Sequence, residues 1–176
     1  MWRPRLQQSR GPPMHITSNP LSRAFRRVIV LGLVLASSFV PVRLAAQTGP
    51  RTIEIVGTDD MKYDKTTIEA KPGEEIRIRL TAKGTMPKIV MAHNVVVLKL
   101  GTDAAAFVAA GVSARDTDFI APEKKAAVIA ATPQAGNGET VETTFTVPTV
   151  PGDYPYVCTF TGHFAAGMKG TLVVKK

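Results

Sequence analysis

The sequence predicts an all-β domain, either a sandwich or a barrel, interrupted by one short helix. Many short segments rich in β-branched or alternating apolar residues are separated by turns containing glycine or proline, which is the pattern of an all-β fold. Residues 47–176 have the length of one domain and are numerous enough to bury a proper core.

The predicted strands begin with residues 51–56 and 75–80, which alternate apolar and polar side chains and so each have one apolar face. The Lys-Pro-Gly-Glu sequence at 71–74 predicts a turn before the second of them. Residues 89–100 form a long apolar run, which predicts one or more strands buried on both faces. The remaining predicted strands are 126–131, 140–147, 154–160 and 170–174.

A short helix is predicted over residues 103–110. This alanine-rich stretch favours a helix, and Thr102 or Asp103 can cap its first turn.

Residues 1–46 have the pattern of a secretory signal peptide. Arginines precede an apolar run over 28–40, and the small residues Ala45 and Ala46 provide a cleavage site before Gln47. The run is shorter than the roughly 17–25 residues that span a bilayer. An uncleaved anchor, a twin-arginine signal at 26–27 and a true start at Met14 stay open as alternatives.

The charge of the chain is concentrated in this leader. The formal net charge is +8, but seven of the 22 basic residues and none of the acidic ones lie in residues 1–46. The domain is left with 15 basic and 14 acidic residues. The high isoelectric point therefore gives no support to a nucleic-acid-binding surface, which needs a basic patch on the folded domain.

One segment near the C-terminus carries the chemistry. Cys158, His163 and Met168 are separated by four residues each time, and Cys158 is the only cysteine of the chain. A second candidate donor, His93, lies 65 residues before Cys158. One thiolate, two imidazoles and one thioether are the donor set of a blue-copper electron-transfer site.

The segment can be placed on the predicted strands. Tyr156, Cys158 and Phe160 share one face of a strand, which should point inward. A turn then brings His163 back beside Cys158, and a second small loop delivers Met168 before the last strand begins.

Each donor has a simpler explanation when it is taken alone. Cys158 would be a buried core thiol, His93 a hydrogen-bonded core histidine and Met168 core filler. Together they indicate a metal site.

The other methionines of the domain, Met61, Met86 and Met91, are interpreted as core residues, and His15 lies in the leader.

The segment Cys-Thr-Phe-Thr-Gly-His, followed by Met-Lys-Gly, resembles the copper-binding segment of azurin, as does Met-Pro-Lys-Ile-Val-Met-Ala-His-Asn at 86–94. The resemblance covers most of residues 51–176. The four-residue gap before Met168 is similar to that of the auracyanins instead. The resemblance implies a cupredoxin-like Greek-key β-sandwich, one type 1 copper ion and a role as a one-electron shuttle.

The resemblance also implies residue roles. The implied copper ligands are His93, Cys158 and His163, with Met168 as the axial ligand. Asn94 matches the residue that braces the cysteine loop, and the backbone N–H groups of Asn94 and Phe160 would bond to the thiolate. Ala92 stands where azurin has a glycine, and a single cysteine excludes the azurin disulfide.

Electron exchange is expected to run through His163. Its ring edge should reach the surface in an apolar docking patch made by Phe164, Ala165 and Ala166. The expected partners are redox proteins such as c-type cytochromes or respiratory and photosynthetic complexes.

Three other functions can be weighed against electron transfer. A copper-carrying or copper-buffering protein would use similar donors but exchange its metal readily. A zinc site also uses Cys and His, although a thioether in fourth place argues against zinc. A multicopper enzyme would need further histidines, and the domain has only His93 and His163.

Overall fold

Two stacked β-sheets form the framework of the computed structural model, which describes residues 49–176. The predicted leader at 1–46 lies outside the described residues. The strands are β1 Arg51–Thr58, β2 Lys62–Tyr63, β3 Thr67–Ala70, β4 Glu75–Lys83, β5 Val96–Leu98, β6 Val128–Ala131, β7 Thr140–Thr146, β8 Gly152–Val157 and β9 Lys169–Val174. Within residues 49–176, no helix has both the length and the hydropathy needed to cross a membrane.

The chain crosses between the two sheets several times. One sheet has the order β2-β1-β4-β7 and the other β3-β9-β8-β5-β6. The parallel pairs β1–β4 and β3–β9 are each made by strands that are not consecutive. The sheets therefore contain both parallel and antiparallel pairs, and the connections cross from one sheet to the other. This arrangement is the β-sandwich that the sequence predicts, with the Greek-key character that the resemblance implies.

The main core lies between the sheets and continues to the end of the sandwich that holds Cys158 and Met168. Alternating residues of β4, Ile76, Ile78 and Leu80, are fully buried there. The strand pattern thus fixes which side chains face the interior and places the two sulfur atoms at the edge of the same core.

The predicted helix is confirmed as α1, Ala104–Gly111. The carboxylate of Asp103 caps it by accepting hydrogen bonds from the N–H groups of Ala105 and Ala106, each at 3.0 Å. Phe107 and Val108 pack against a second, smaller core cluster under β5 and β8.

The prediction of one or more buried strands over residues 89–100 is wrong for most of that range. A turn begins at Pro87, whose carbonyl accepts hydrogen bonds from the N–H groups of Val90 and Met91. Ile89 and Val90 are consequently exposed, at 64% and 51%. Only β5 is a strand, and its residues are buried on both faces as predicted, because the two core clusters lie on opposite sides of it.

Two boundaries and two whole strands also differ from prediction. A 3-10 segment, Pro122–Ala127, occupies the start of the strand predicted at 126, so β6 begins at Val128. The strand predicted over 154–160 ends at Val157, because the chain leaves the ladder to form the metal-site loop. Strands β2 and β3 were not predicted.

Candidate metal centre

Cys158 lies one residue beyond β8 and is fully buried. Its backbone N–H donates to the carbonyl of Met168 at 3.1 Å, which continues the pairing of β8 with β9. The ladder therefore holds the two sulfur-bearing residues side by side.

The loop between them is closed by its own backbone. The N–H of His163 donates to Phe160 O at 3.1 Å, and the N–H of Met168 donates to His163 O at 2.9 Å. The two tight turns require positive φ angles, 89° at Gly162 and 99° at Gly167, which glycine adopts at little cost. The small residues noted in the sequence thus let the loop fold back on itself.

His93 reaches the same point from the segment before β5. It pairs with Ala135 in an isolated antiparallel bridge, with N–H···O distances of 2.9 and 2.7 Å. This bridge fixes the backbone of His93, whose side chain is buried.

The three donors converge. The Nδ1 atoms of His93 and His163 are 3.2 Å apart, and Cys158 Sγ lies 3.5 Å from Nδ1 of His163. One ligand atom from each of the three residues lies within 4.8 Å of the others. Two imidazole nitrogens and a sulfur that face one another this closely can share a single ion.

Met168 completes the group. Its side chain is fully buried. A Cβ atom built on Gly57 would lie 3.0 Å from both the Met168 methyl group and Cγ of His93, which places these two side chains together beside β1. The absence of a side chain at Gly57 leaves the space that they occupy.

Asn94 ties the two halves of the site together. Its amide Nδ2 donates to Oγ1 of Thr159 at 2.8 Å, and the Thr159 backbone N–H donates to Asn94 Oδ1 at 2.9 Å. The residue after His93 is thereby bonded to the residue after Cys158.

The Cys158 sulfur lies in a low-dielectric environment with a few hydrogen-bond donors. Burial raises the pKa of the thiol to about 11, while hydrogen bonds from the backbone N–H groups of Asn94 and Phe160, and the nearby Tyr63 hydroxyl, oppose that rise. The same donors can stabilise the thiolate that a bound metal requires.

Both imidazoles are uncharged near neutral pH. Burial lowers the pKa of His163 to about 4, with a further contribution from His93, and burial also lowers the pKa of His93. Neutral imidazole is the form that binds metal, so neither ring must lose a proton first.

The donor set fits copper. A thiolate and a thioether are soft ligands that suit Cu(I), and imidazole accepts both oxidation states. In the described part of the chain, this three-donor group contains no carboxylate. A thioether as the fourth nearby donor is unsuited to a structural zinc site, which uses cysteine and histidine.

Comparison with known proteins agrees with this geometry. Residues 52–175 match the model of the copper-binding proteins of the plastocyanin/azurin family. The chain belongs to that family. Auracyanin-A of Chloroflexus aurantiacus is 39% identical over 129 residues, which cover 72% of this chain and 76% of the relative. Azurin of Bordetella pertussis is 35% identical over 144 residues, which cover 80% of this chain and 93% of the relative.

The fold agrees as well. The structure of dithionite-reduced auracyanin from Roseiflexus castenholzii aligns with a TM-score of 0.63 at 34% identity, over 73% of this chain and 100% of that one. The chain is therefore a cupredoxin that binds one type 1 copper ion and carries electrons, as its azurin and auracyanin relatives do.

The cupredoxin's predicted docking residues lie on the loop outside the metal site. Phe164 is half-buried, packs against the second core cluster and has the Lys169 ammonium 4.8 Å from its ring centroid. Ala165 is exposed and Ala166 is half-buried. His163 is only 2% exposed, so its ring edge does not reach the surface as expected.

Three residues around the site were not singled out from the sequence. Gly57 leaves room for His93 and Met168, and Thr159 bonds to Asn94. Tyr63 is buried and its hydroxyl donates to the carbonyl of Asn94. Thr159 lies inside the recognised motif, whereas nothing in the local sequence of Gly57 or Tyr63 reveals that the fold brings them to the metal site.

Proposed function

We propose that this cupredoxin holds its copper through four side chains and shuttles single electrons between exported redox proteins. The proposed ligands are His93, Cys158 and His163, with Met168 as the axial ligand. The observation that carries the assignment is the convergence of three donor atoms within 4.8 Å of one another, beside the buried Met168 side chain.

The surrounding protein supports rapid electron transfer by holding the donors still. Bound copper supplies the one-electron chemistry by cycling between Cu(I) and Cu(II). The backbone bonds of the 160–168 loop and the Asn94–Thr159 pair fix the donors in one arrangement. A site that barely rearranges between oxidation states exchanges electrons with a low barrier.

Asn94 and Phe160 are proposed to tune the thiolate through their backbone N–H groups. The support is that both N–H groups lower the pKa of the Cys158 thiol by hydrogen bonding to it. Donors of this kind stabilise the negative charge on sulfur and so affect the reduction potential.

The docking surface is proposed to lie where the 160–168 loop meets the 86–91 loop. It consists of Phe164, Ala165, Ala166 and Ile89. Ile89 is exposed and lines a surface cavity of about 390 Å³ together with Phe160. The Phe160 ring lies 4.8 Å from the His163 ring, so a partner seated here would approach His163 through Phe160. The charged residues Lys88, Arg115 and Asp118 also line the cavity. Weak redox encounters use small interfaces of this kind.

Electron self-exchange between oxidised and reduced copies tests this surface without a known partner. We expect Ile89→Lys and Ala165→Lys each to slow self-exchange, measured by NMR line broadening, by about ten-fold or more, since like charges would meet in the encounter. The matched control is Val150→Lys. Val150 is 58% exposed and lies just before the start of β8, whereas Cys158 follows the end of that strand. Equal effects of Ile89→Lys and Val150→Lys would show that docking occurs elsewhere.

The location and partners are proposed from the leader and from the function. An N-terminal signal at 1–46 would export the chain to the periplasm or another extracytoplasmic space. If the leader is retained, it would anchor the protein to the membrane. The physiological partners would be c-type cytochromes or respiratory or photosynthetic complexes. N-terminal sequencing of the protein from its native compartment tests export, since cleavage before Gln47 is the expected result and a start within 1–46 would indicate a retained leader.

A further inference from the structure

Tyr63 is a buried phenol that the proposed ligand set does not use. It lies in β2 and is 6% exposed. Its hydroxyl donates a hydrogen bond to the backbone carbonyl of Asn94, 31 residues further along the chain. A buried tyrosine hydroxyl normally has such a partner, but this one is located at the metal site.

Asn94 is the residue on which the local hydrogen bonds converge. Its carbonyl accepts from Tyr63, while its side chain bonds to Thr159 at 2.8 and 2.9 Å. Its own N–H is one of the two backbone donors to Cys158. A shift of the Asn94 backbone would therefore alter both the cysteine loop and the hydrogen bonding of the sulfur.

The ring of Tyr63 is held in place by packing. It belongs to the same core cluster as Cys158 and Met168. It contacts the ring of Tyr156, with centroids 5.7 Å apart and planes at 48°. With the ring fixed, the hydroxyl has little freedom to leave the Asn94 carbonyl.

We propose that Tyr63 is a positioning residue of the copper site. Through its hydrogen bond to the Asn94 carbonyl, Tyr63 holds the Asn94 N–H against the Cys158 sulfur. This contact keeps the reduction potential of the copper high. This role rests on the proposed assignment of Cys158 as a ligand. A thiolate that loses part of its hydrogen bonding donates more strongly to the metal, which favours Cu(II).

The test is Tyr63→Phe, which removes one oxygen and keeps the ring. The matched control is Tyr156→Phe, since the Tyr156 hydroxyl donates its hydrogen bond to the Lys65 carbonyl, at 2.7 Å, rather than to Asn94. We expect Tyr63→Phe to lower the reduction potential and to move the sulfur-to-copper absorption band to longer wavelength. Tyr156→Phe should change neither.

A second readout needs no copper. In the metal-free protein, amide hydrogen exchange at Thr159 should be several-fold faster in Tyr63→Phe than in Tyr156→Phe, because the Thr159 N–H is bonded to the Asn94 side chain. Equal exchange rates in the two variants would overturn the proposal, because a change of potential alone could come from the Tyr63 hydroxyl acting directly on the Cys158 sulfur. A wild-type protein that binds copper without turning blue would instead refute the ligand set.

Fluorination provides a test that does not depend on Tyr63→Phe folding. The chain has three tyrosines, so the Tyr154→Phe/Tyr156→Phe double variant carries only Tyr63. Replacing that tyrosine with 3-fluorotyrosine makes the phenol a stronger donor, and the potential should rise. An unchanged or lower potential would contradict the proposed role.

Discussion

Asn94 and Thr159 lie 65 residues apart in the chain and are joined by buried hydrogen bonds, the shortest of which are 2.8 and 2.9 Å. One residue follows His93 and the other follows Cys158. The pair therefore connects the two segments that supply the metal donors, and it makes the position of one donor depend on the other.

Replacing Asn94 with alanine should destabilise the metal-free protein by about 2 kcal/mol or more, because the buried Thr159 N–H loses its acceptor, whereas the Thr159 hydroxyl keeps the Asp118 carbonyl at 2.6 Å. Urea denaturation measures the loss. Asn137→Ala is the control, since Asn137 is exposed and accepts one hydrogen bond, from the Gly84 N–H at 3.0 Å. Its expected cost is below about 1 kcal/mol. Equal losses of stability in the two variants would mean that the buried Asn94–Thr159 pair contributes no more than an exposed hydrogen bond.

Gly57→Ala should disturb the axial side of the site. The new methyl group would lie 3.0 Å from the Met168 methyl group and from His93 Cγ, so both side chains must shift by a few tenths of an ångström. We expect copper to remain bound with a changed potential and EPR spectrum. Gly49→Ala is the matched control, because a Cβ there meets nothing within 4 Å. A Gly57→Ala protein with an unaltered spectrum would place Met168 away from the metal.

Met168→Leu should keep the copper and its thiolate bond but raise the reduction potential. Leucine has about the same volume but donates no electrons, and the loss of an axial donor destabilises the more highly charged Cu(II) more than Cu(I). Protein-film voltammetry gives the potential. Met86→Leu serves as the control, since Met86 is 42% exposed. The interpretation of Met86 as a core residue is therefore wrong. A colourless Met168→Leu protein would show that the methionine is required to assemble the site.

The metal-free protein should lose stability as the pH falls from about 6.5 towards 4. Burial lowers the pKa of folded His163 to about 4, against 6.5 for its ordinary value, so in that range the unfolded chain binds a proton that the folded chain does not. The full effect is on the order of 3 kcal/mol. His93 adds to it in the same direction.

Urea denaturation of the metal-free protein at pH 7 and pH 5.5 measures how its stability depends on pH. Both pH values lie above the range in which most carboxylates titrate, so the histidines dominate the difference. The His163→Asn variant should show a shallower loss. A stability independent of pH in wild type would mean that the metal-free site admits water and leaves the rings solvated.

The parts of the fold that the sequence predicted are those with a local signal. Strict alternation in β4 and the capping residue of α1 each depend on neighbours along the chain, and both elements were correct. The apolar run at 89–100 was misread because composition does not distinguish a buried strand from a turn that exposes Ile89 and Val90. Pro87, which begins that turn, was the available signal.

The four proposed ligands were found from residue type and spacing, and the structure brings them together. Their surroundings could not be predicted in the same way. Gly57 in β1 and Tyr63 in β2 are paired in the first hairpin, and only the stacking of the sheets brings them to the metal site. Such contacts depend on tertiary packing rather than on local pattern.

The central claim is tested most directly by the visible and EPR spectra of residues 47–176 after Cu(II) is added. The account predicts intense blue absorption and a narrow copper hyperfine splitting, both lost in Cys158→Ser. A colourless protein, or one with an ordinary tetragonal Cu(II) spectrum, would contradict the copper–thiolate site and make copper carriage the better description.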